Sequence, residues 1–358
     1  MTTKTNIQKK DDIVVKFVGD SGDGMQLIGS ILADNSAIMG NDIATFPDFP
    51  AEIRAPHNTI AGVSGFQIRI GQKKLKTCGD DCDVMLFMNP ASLKSNLKWA
   101  KKNAILIIDS DAFDNKAIEK AGYQTNPLNN NSLKDYIVIQ APITNMTKQC
   151  LSKLEIDNKL AERSKNMFAL GMIMYLLNRK VDITYKYFEK KFAKNPLIIK
   201  INKIVLNAGF EYASTRKEFE TTYEIPPAKL EKGKYRNITG NNATAWGFLA
   251  ASEKSGRPLY LGSYPITPAT EILVELAKHK SLGAKVFQAE DEIAGICSAI
   301  GASFTGSLAI TTTSGPGLSL KTEAIGLAVM TELPLVIVDV QRGGPSTGLP
   351  TKSEQSDL

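Results

Sequence analysis

Three short stretches of this sequence carry residue types that can do chemistry: Ser263–Pro268 (SYPITP), Gln288–Gly301 (QAEDEIAGICSAIG) and Thr313–Gly317 (TSGPG). Each joins a short apolar run to a helical pattern, so all three are strand-to-helix corners. In the first, Thr267 suits an N-cap and Pro268 the first helical position, which predicts a helix over Ala269–His279. Its N-terminus either caps itself or receives a carboxylate or phosphate on unpaired N–H groups. In the second, Glu290, Asp291 and Glu292 open a helix. Ile293, Ala294, Ile296, Cys297, Ala299 and Ile300 surround that helix with small or apolar groups, which predicts burial on all sides. The acids either complement the helix dipole or include a buried carboxylate. A buried carboxylate is costly unless it is paired or shares a proton, and that cost marks a functional group. Helical spacing alone does not choose among the three. In the third corner Gly315 and Gly317 bracket Pro316. This is either a plain turn or a rigid corner without side-chain bulk, suited to a flat ring lying against backbone.

Repeated strand–helix alternation must hold these corners. Asp12–Val18 is a β-rich apolar run entering the loop Gly19–Gly24, and Met25–Met39 follows with a helical apolar stripe. Val84–Met88 and Ala104–Ile108 are further buried-strand candidates, and Asn166–Asn178 is apolar on nearly all sides, as a helix inside a core is. This alternation predicts a first α/β domain with a mainly parallel sheet over residues 1–220. Residues 221–237, with two adjacent prolines and little periodicity, read as a linker. Residues 238–358 resume the rhythm with strands at Leu259–Gly262, Ala284–Gln288, Leu308–Thr313 and Leu335–Val340. This layer stops after about four strands, straight after the glycine-proline loop Gln341–Thr351, so the second domain is expected to be an incomplete, doubly wound α/β unit.

Gly19–Gly24 (GDSGDG) follows a strand and opens a helix, the context of a nucleotide-type loop. The spacing departs from G-x-G-x-x-G, and two aspartates stand where a pyrophosphate would be repelled, which argues against a nicotinamide or flavin. A close-packing turn and a loop meeting a phosphorylated ligand through backbone N–H groups both remain open. Phe46–Pro56 sets Glu52 and Arg54 in a proline-framed loop, as a surface ion pair or a ligand-facing pair. Charge is mixed along the chain, 43 basic against 37 acidic residues, with no basic block, so nucleic-acid binding is not expected. No apolar run approaches the roughly 20 residues of a membrane helix, and the polar start carries no apolar signal region, so a cytoplasmic location is expected. The four cysteines then read as thiols. Cys78 and Cys82 lack the further ligands a metal needs, so no metal site is expected in this chain.

Taken in order, Tyr264–Pro268 (YPITP), Gln288–Glu292, Thr313–Gly317 and Gln341–Thr351 (QRGGPSTGLPT) resemble the α subunit of 2-oxoacid:ferredoxin oxidoreductases, within the pyrimidine-binding domain of thiamine-diphosphate enzymes. Gly19–Gly24, Pro50–Pro56 and Arg163–Leu170 resemble that family's γ domain, fused ahead of α as in several 2-oxoglutarate enzymes. The resemblance covers nearly the whole chain. It implies thiamine diphosphate as cofactor, gripped here at its pyrimidine end by Tyr264, Pro265, Ile266, Ser314, Gly315, Pro316 and Gly317. It gives Glu292 the role of the catalytic glutamate, which hydrogen-bonds N1′ of the aminopyrimidine and favours its imino form. Thr267 and Arg342 would hold the substrate carboxylate, with Thr351 nearby. Gly19, Ser21, Gly22 and Gly24 become a possible CoA-facing loop. The diphosphate, its Mg2+ and a 4Fe-4S cluster are implied on a β partner, since Gly22-Asp23-Gly24 lacks the asparagine that completes a diphosphate motif. The implied reaction oxidatively decarboxylates 2-oxoglutarate to succinyl-CoA, with ferredoxin as electron acceptor. The same chemistry on pyruvate or a branched-chain 2-oxoacid is one alternative; an inactive assembly module is another. The resemblance further implies that the chain alone binds the cofactor poorly and turns nothing over.

Overall fold

The computed structural model describes residues 6–48, 63–154 and 156–340. These fall into two compact units, Met1–Asn237 and Ile238–Leu358. Among the described residues no helix is long and apolar enough to cross a membrane.

The first unit begins with β1 (Asn6–Lys9) and β2 (Asp12–Asp20), then α1 (Met25–Ile38), β3 (Asp42–Asp48), β4 (Val63–Gly71) and β5 (Cys82–Phe87). Next come α2 (Pro90–Asn96), β6 (Ala100–Asp109), α3 (Asn115–Lys120) and β7 (Ile137–Ala141). Five helices follow: α4 (Ile143–Leu151), α5 (Asn158–Arg163), α6 (Lys165–Leu176), α7 (Val181–Lys191) and α8 (Pro196–Ser214). The last strand is β8 (Thr221–Glu224). The main sheet has the order β3-β4-β2-β5-β6-β7. Strands β2, β5, β6 and β7 run parallel, while β4 pairs antiparallel with both β2 and β3. β2, β5 and β6 are covered on both faces, hence their near-continuous apolar runs. On one face Met25, Ile28 and Leu32 of α1 join Phe168, Met172 and Ile173 of α6 in a core with Ile13, Val15 and Phe17; on the other, Leu93 of α2 packs with Val18, Met85 and Leu106. Thus β2 sends its helix to one face and its parallel neighbour β5 sends its helix to the other. The crevice between their C-terminal ends is a topological switch point, where open α/β sheets bind ligands.

One stretch departs from expectation. The stretch from Thr221 starts as a strand: β8 pairs in parallel with β1 over Asn6–Lys9. Asn41 Nδ2 then donates to the carbonyls of Ile225 and Pro226, and Ala228 N–H to that of Gly40, so residues 225–228 are strapped to the α1–β3 turn. The strands are polar and their pairing spans the whole unit, so no local pattern announces them. Glu52 and Arg54 lie outside the described residues.

The second unit comprises α9 (Gly240–Ser255), β9 (Leu259–Ser263), α10 (Thr270–Ala277), β10 (Lys285–Gln288), α11 (Glu292–Phe304), β11 (Leu308–Thr313), α12 (Thr322–Met330) and β12 (Val336–Asp339). Its four strands are all parallel in the order β10-β9-β11-β12. Helices α9 and α10 cover one face through Ala245, Ile272 and Leu276; α11 and α12 cover the other through Ile296, Ile300, Ala324 and Ala328. The chain from β10 therefore crosses above β9 to reach β11, so the corners after β9, β10 and β11 gather at one edge of the sheet.

Glu275 ties α9 to α10. Its carboxylate accepts from Lys278 (2.7 Å), Trp246 Nε1 (2.8 Å) and His279 Nε2 (3.2 Å), and these donors, Lys278 foremost, hold it down to about 2. A carboxylate depressed by folding contributes stability above its unfolded range near 4.3 and loses it as pH falls through the folded value. Thermal stability of the second unit should therefore decline between about pH 5 and pH 2. Glu275→Gln should flatten that slope in melts followed by circular dichroism, and an unaltered slope would show that another group governs it. Trp246→Phe, which removes the part-buried hydrogen bond to Glu275, should cost about 1 kcal/mol at neutral pH.

Candidate active site

Glu292 is the first residue of α11. Asp291 ahead of it is the N-cap, its Oδ1 accepting from Ala294 N–H at 2.7 Å. Capping occupies Asp291, and Asp291 and Glu290 are exposed, whereas Glu292 is half-buried. The structure thus separates three acids that spacing alone leaves equivalent. One turn on, Gly295 lies against β9: a Cβ there would stand 3.3 Å from Ser263 Cα and 3.4 Å from the Gly262 carbonyl. The approach is mutual, because a Cβ on Gly262 would meet the Gly295 carbonyl at 2.6 Å. The acid-bearing turn is therefore pressed onto the strand end from which Tyr264, Pro265 and Ile266 emerge, themselves half-buried.

The Thr313–Gly317 corner closes the other side. Gly315 has φ 52, a left-handed backbone, and Gly315–Gly317 form one 3-10 turn. A Cβ on Gly317 would collide with Thr313 Oγ1 and stand 3.2 Å from both Cγ and Oε1 of Glu292. The glycine at 317 is what leaves room for that carboxylate beside the corner. Two hydroxyls here, Thr313 Oγ1 and Ser314 Oγ, are buried without a hydrogen-bond partner among the described residues. Buried polar atoms are rarely left unpaired, so this edge offers a bulk-free backbone corner, two spare hydroxyls and a carboxylate side by side. Those groups fit a flat, polar heteroaromatic ring such as an aminopyrimidine. Ser263 Oγ bonds Thr312 O at 2.8 Å and locks β9 to β11 beneath them. At the end of β12, burial pushes the Asp339 carboxyl up, offset by the Gly315 backbone N–H.

Several expectations need correction. Thr267 is not an N-cap. Residues 267–269 form a turn closed by Thr270 N–H on the Ile266 carbonyl (2.9 Å), the Thr267–Pro268 peptide is cis, and α10 starts at Thr270 with Ala269 as its cap. Thr267 is exposed. Nor is α11 buried on all sides. Its sheet-facing side is covered, but Ile293 is 50% and Phe304 80% exposed, and on α12 Val329 is 70% and Met330 83% exposed. A four-stranded sheet covers only one face of a helix. Arg342 and Thr351 lie outside the described residues. Lys321 is a participant the sequence did not point to. It is wholly buried, and its Nζ donates to the Glu292 carbonyl at 2.8 Å and to Thr311 Oγ1 at 3.3 Å.

In the first unit the loop Gly19–Gly24 lies at the switch point. Gly24 is left-handed (φ 74), and a Cβ there would strike Asn166 Nδ2. Asp23 organises the loop by accepting from Asp20 N–H at 2.9 Å and pairing with Lys165 at 2.9 Å. Of the two aspartates in this loop Asp23 is thereby paired, while the Asp20 carboxylate accepts, among the described residues, only from the neutral Asn89 amide at 2.8 Å. Ser21 and Gly22 are exposed, and a recess of about 410 Å3 opens here, lined by Gly22, Asp20, Asp23, Lys159, Glu162, Arg163 and Lys165, with Glu162 paired to Lys148 at 2.7 Å. Asn166 Oδ1 is buried without a partner among the described residues. Two cations not committed to Asp23, Lys159 and Arg163, thus stand at the mouth of a glycine-rich helix start.

The family model described as "Pyruvate ferredoxin/flavodoxin oxidoreductase" matches residues 14–212. A second, "Pyruvate flavodoxin/ferredoxin oxidoreductase, thiamine diP-bdg", matches residues 254–358. The 2-oxoglutarate oxidoreductase subunit KorA of Mycobacterium tuberculosis is 50% identical over 351 residues, covering 98% of this chain and 54% of that protein. The 2-oxoglutarate synthase subunit KorA of Methanocaldococcus jannaschii is 50% identical over 122 residues, 34% of this chain and 32% of its own length. Among solved structures, a 2-oxoglutarate:ferredoxin oxidoreductase from Magnetococcus marinus with 2-oxoglutarate, coenzyme A and succinyl-CoA bound superposes with a TM-score of 0.70. It is 32% identical, and the match covers 98% of this chain and 55% of that one. The chain spans about half the length of the longer relatives it matches. With the first family model spanning more than half of the sequence, the chain belongs to the pyruvate ferredoxin/flavodoxin oxidoreductase family.

Proposed function

We propose that this chain supplies the aminopyrimidine half-site and a CoA-facing unit of a 2-oxoglutarate:ferredoxin oxidoreductase. In the overall reaction 2-oxoglutarate and CoA give succinyl-CoA and CO2, and two electrons leave one at a time to ferredoxin. The observation that carries this reading is the Glu292 carboxylate, half-buried beside Gly317, with two hydroxyls near it that have no partner among the described residues. Thiamine diphosphate, when bound, supplies a nucleophilic carbon and an electron sink for decarboxylation. Glu292 holds a proton at N1′ of the pyrimidine, a task suited to a partly desolvated carboxylate at hydrogen-bond distance. Tyr264, Pro265 and Ile266 with Ser314, Gly315, Pro316 and Gly317 form the two walls that orient the ring. Thr267, Arg342 and Thr351 are assigned to the oxoacid side.

The diphosphate, its Mg2+ and the 4Fe-4S cluster are assigned to a β partner. The uncovered apolar side of α11 and α12 supports such a partner, since soluble surfaces rarely leave contiguous apolar patches without a function. Relatives named for 2-oxoglutarate and the 2-oxoglutarate-bound structural neighbour support the substrate. In the first unit, Gly19, Ser21, Gly22 and Gly24 with Lys159 and Arg163 are assigned to a phosphate group of CoA, which exposed backbone N–H groups and cations would receive.

Two assays of the complete enzyme test this. Viologen reduction should show the highest kcat/KM for 2-oxoglutarate; a preference for pyruvate or a branched-chain oxoacid would overturn the substrate assignment. Arg163→Ala should raise the KM for CoA about tenfold, the loss expected of one charge-assisted contact, and leave the KM for the oxoacid unchanged. An unchanged KM for CoA would remove Arg163 from that site.

A further inference from the structure

Lys321 ends the short 3-10 turn Ser319–Lys321, four residues after Gly317. It is 0% exposed, and its ammonium reaches beneath the first turn of α11. There it donates to the Glu292 main-chain carbonyl at 2.8 Å and to the hydroxyl of Thr311, a fully buried residue of β11, at 3.3 Å. An ammonium has three donors, and these bonds engage two. The carboxylates of Glu292 and Asp291, with Cys297, act on it through space.

For fold stability alone this is a poor arrangement. Burying an ammonium is expensive, and apolar residues of similar volume in place of buried charges are often neutral or stabilising. The positive charge also sits at the N-terminal, positive end of a helix dipole. Burial pushes the lysine down from its ordinary value, with Glu292 and then Asp291 pulling it back. A methionine would fill the same space without these penalties. What methionine cannot supply is the bridge between β11, the corner and the acid-bearing turn.

We infer that Lys321 is a positioning residue: it clamps the first turn of α11 to β11 and so fixes the Glu292 carboxylate against the Gly315–Gly317 corner. This rests on the reading of Glu292 given above. The clamp and the corner share one stretch of chain, Gly315 to Lys321, so one short segment sets both the corner and the acid that the ring would meet. The Glu292 carbonyl is the natural handle. A carbonyl has two lone pairs, so it can serve the helix and the lysine together, and it lies close to the Cα that aims the carboxylate.

The test is Lys321→Met in the complete enzyme with its partner subunits and thiamine diphosphate. The melting temperature should stay within about 3 °C of wild type or rise, a shift of roughly 1 kcal/mol or less. Thiamine diphosphate should still bind, but the circular-dichroism signature of its imino tautomer should be lost. The kcat should fall about a hundredfold, the scale of a small misplacement of a reacting group, with the KM for the oxoacid unchanged. Retention of both the tautomer signature and kcat overturns the inference. So does a lower melting temperature with the signature and kcat intact in the folded enzyme, which would make Lys321 merely structural. Should Lys321→Met fail to fold, Lys321→Gln, which keeps one donor, is read by the same criteria. Glu292→Gln is measured alongside. If it keeps the signature, the assignment of Glu292 fails; if it loses the signature while the Lys321 variants keep it, only the clamp fails.

Discussion

Replacing Glu292 with glutamine in the complete enzyme should slow exchange of the thiazolium C2 proton about a thousandfold, within the range contributed by positioned acid–base groups. The amide matches the carboxylate in size and shape, so assembly and melting temperature should hold. Glutamine cannot share a proton with a ring nitrogen in the same way, so the tautomer that removes the C2 proton would no longer be favoured. The geometry adds a control. Asp291 caps its own helix through Ala294 N–H, so Asp291→Asn should lower stability modestly and leave exchange largely intact. Normal exchange in Glu292→Gln, read by deuterium incorporation with NMR, would refute the assignment of the acid.

The largest expected effect on stability lies in the first unit, where α6 and α8 cross backbone to backbone. A Cβ on Gly209 would stand 2.7 Å from the carbonyl carbon of Phe168 and 2.9 Å from its Cα, and would strike its oxygen. A Cβ on Gly171, across the same crossing, would meet Phe210 N at 2.8 Å and strike the Leu206 carbonyl. The obstructing atoms are main chain, so no rotamer change relieves them. The helices would have to separate, and α6 lies in the middle of the core, with Phe168, Leu170, Met172 and Ile173 all at 0% exposure. Gly209→Ala should therefore destabilise the unit by about 3 kcal/mol, the upper end for overpacking, and lower its melting temperature by roughly 10 °C. A fall of less than about 2 °C in a thermal melt would mean that the helices slide apart at little cost.

Much of the fold is legible in the sequence because its physical cause is local. The parallel strands β2, β5, β6, β9 and β11 are buried on both faces and so read as short continuous apolar runs. Helix α6 reads as a core helix because nearly every residue is apolar. Strands β1 and β8 are polar and meet across the full length of the unit, and β3 and β4 flank the stretch from Pro50 to Pro56 without a tight hairpin signal. At the site, chain order and corner chemistry bring an acid-bearing turn beside the SGPG corner but leave Glu290, Asp291 and Glu292 equivalent; only the family resemblance points to Glu292, the half-buried one of the three. Local patterns fail at Thr267, where the hydroxyl-then-proline pattern imitates a cap but a turn intervenes before α10. They also fail at Lys321, because a lysine in a polar-looking segment (SLKTE) reads as solvated, and only the packing of α11 over β11 buries it. Burial of α11 on all sides is overestimated for a related reason. Composition shows that a helix surface is apolar, but not whether its cover comes from the same chain.

A crystal structure of the complete enzyme with thiamine diphosphate bound would decide where the pyrimidine sits. A Glu292 carboxylate oxygen is expected about 2.6–3.2 Å from N1′ of the aminopyrimidine, with the ring lying on the Gly315–Gly317 backbone. A pyrimidine bound elsewhere, or one met by Glu290 or Asp291 while Glu292 turns to solvent, would contradict this arrangement.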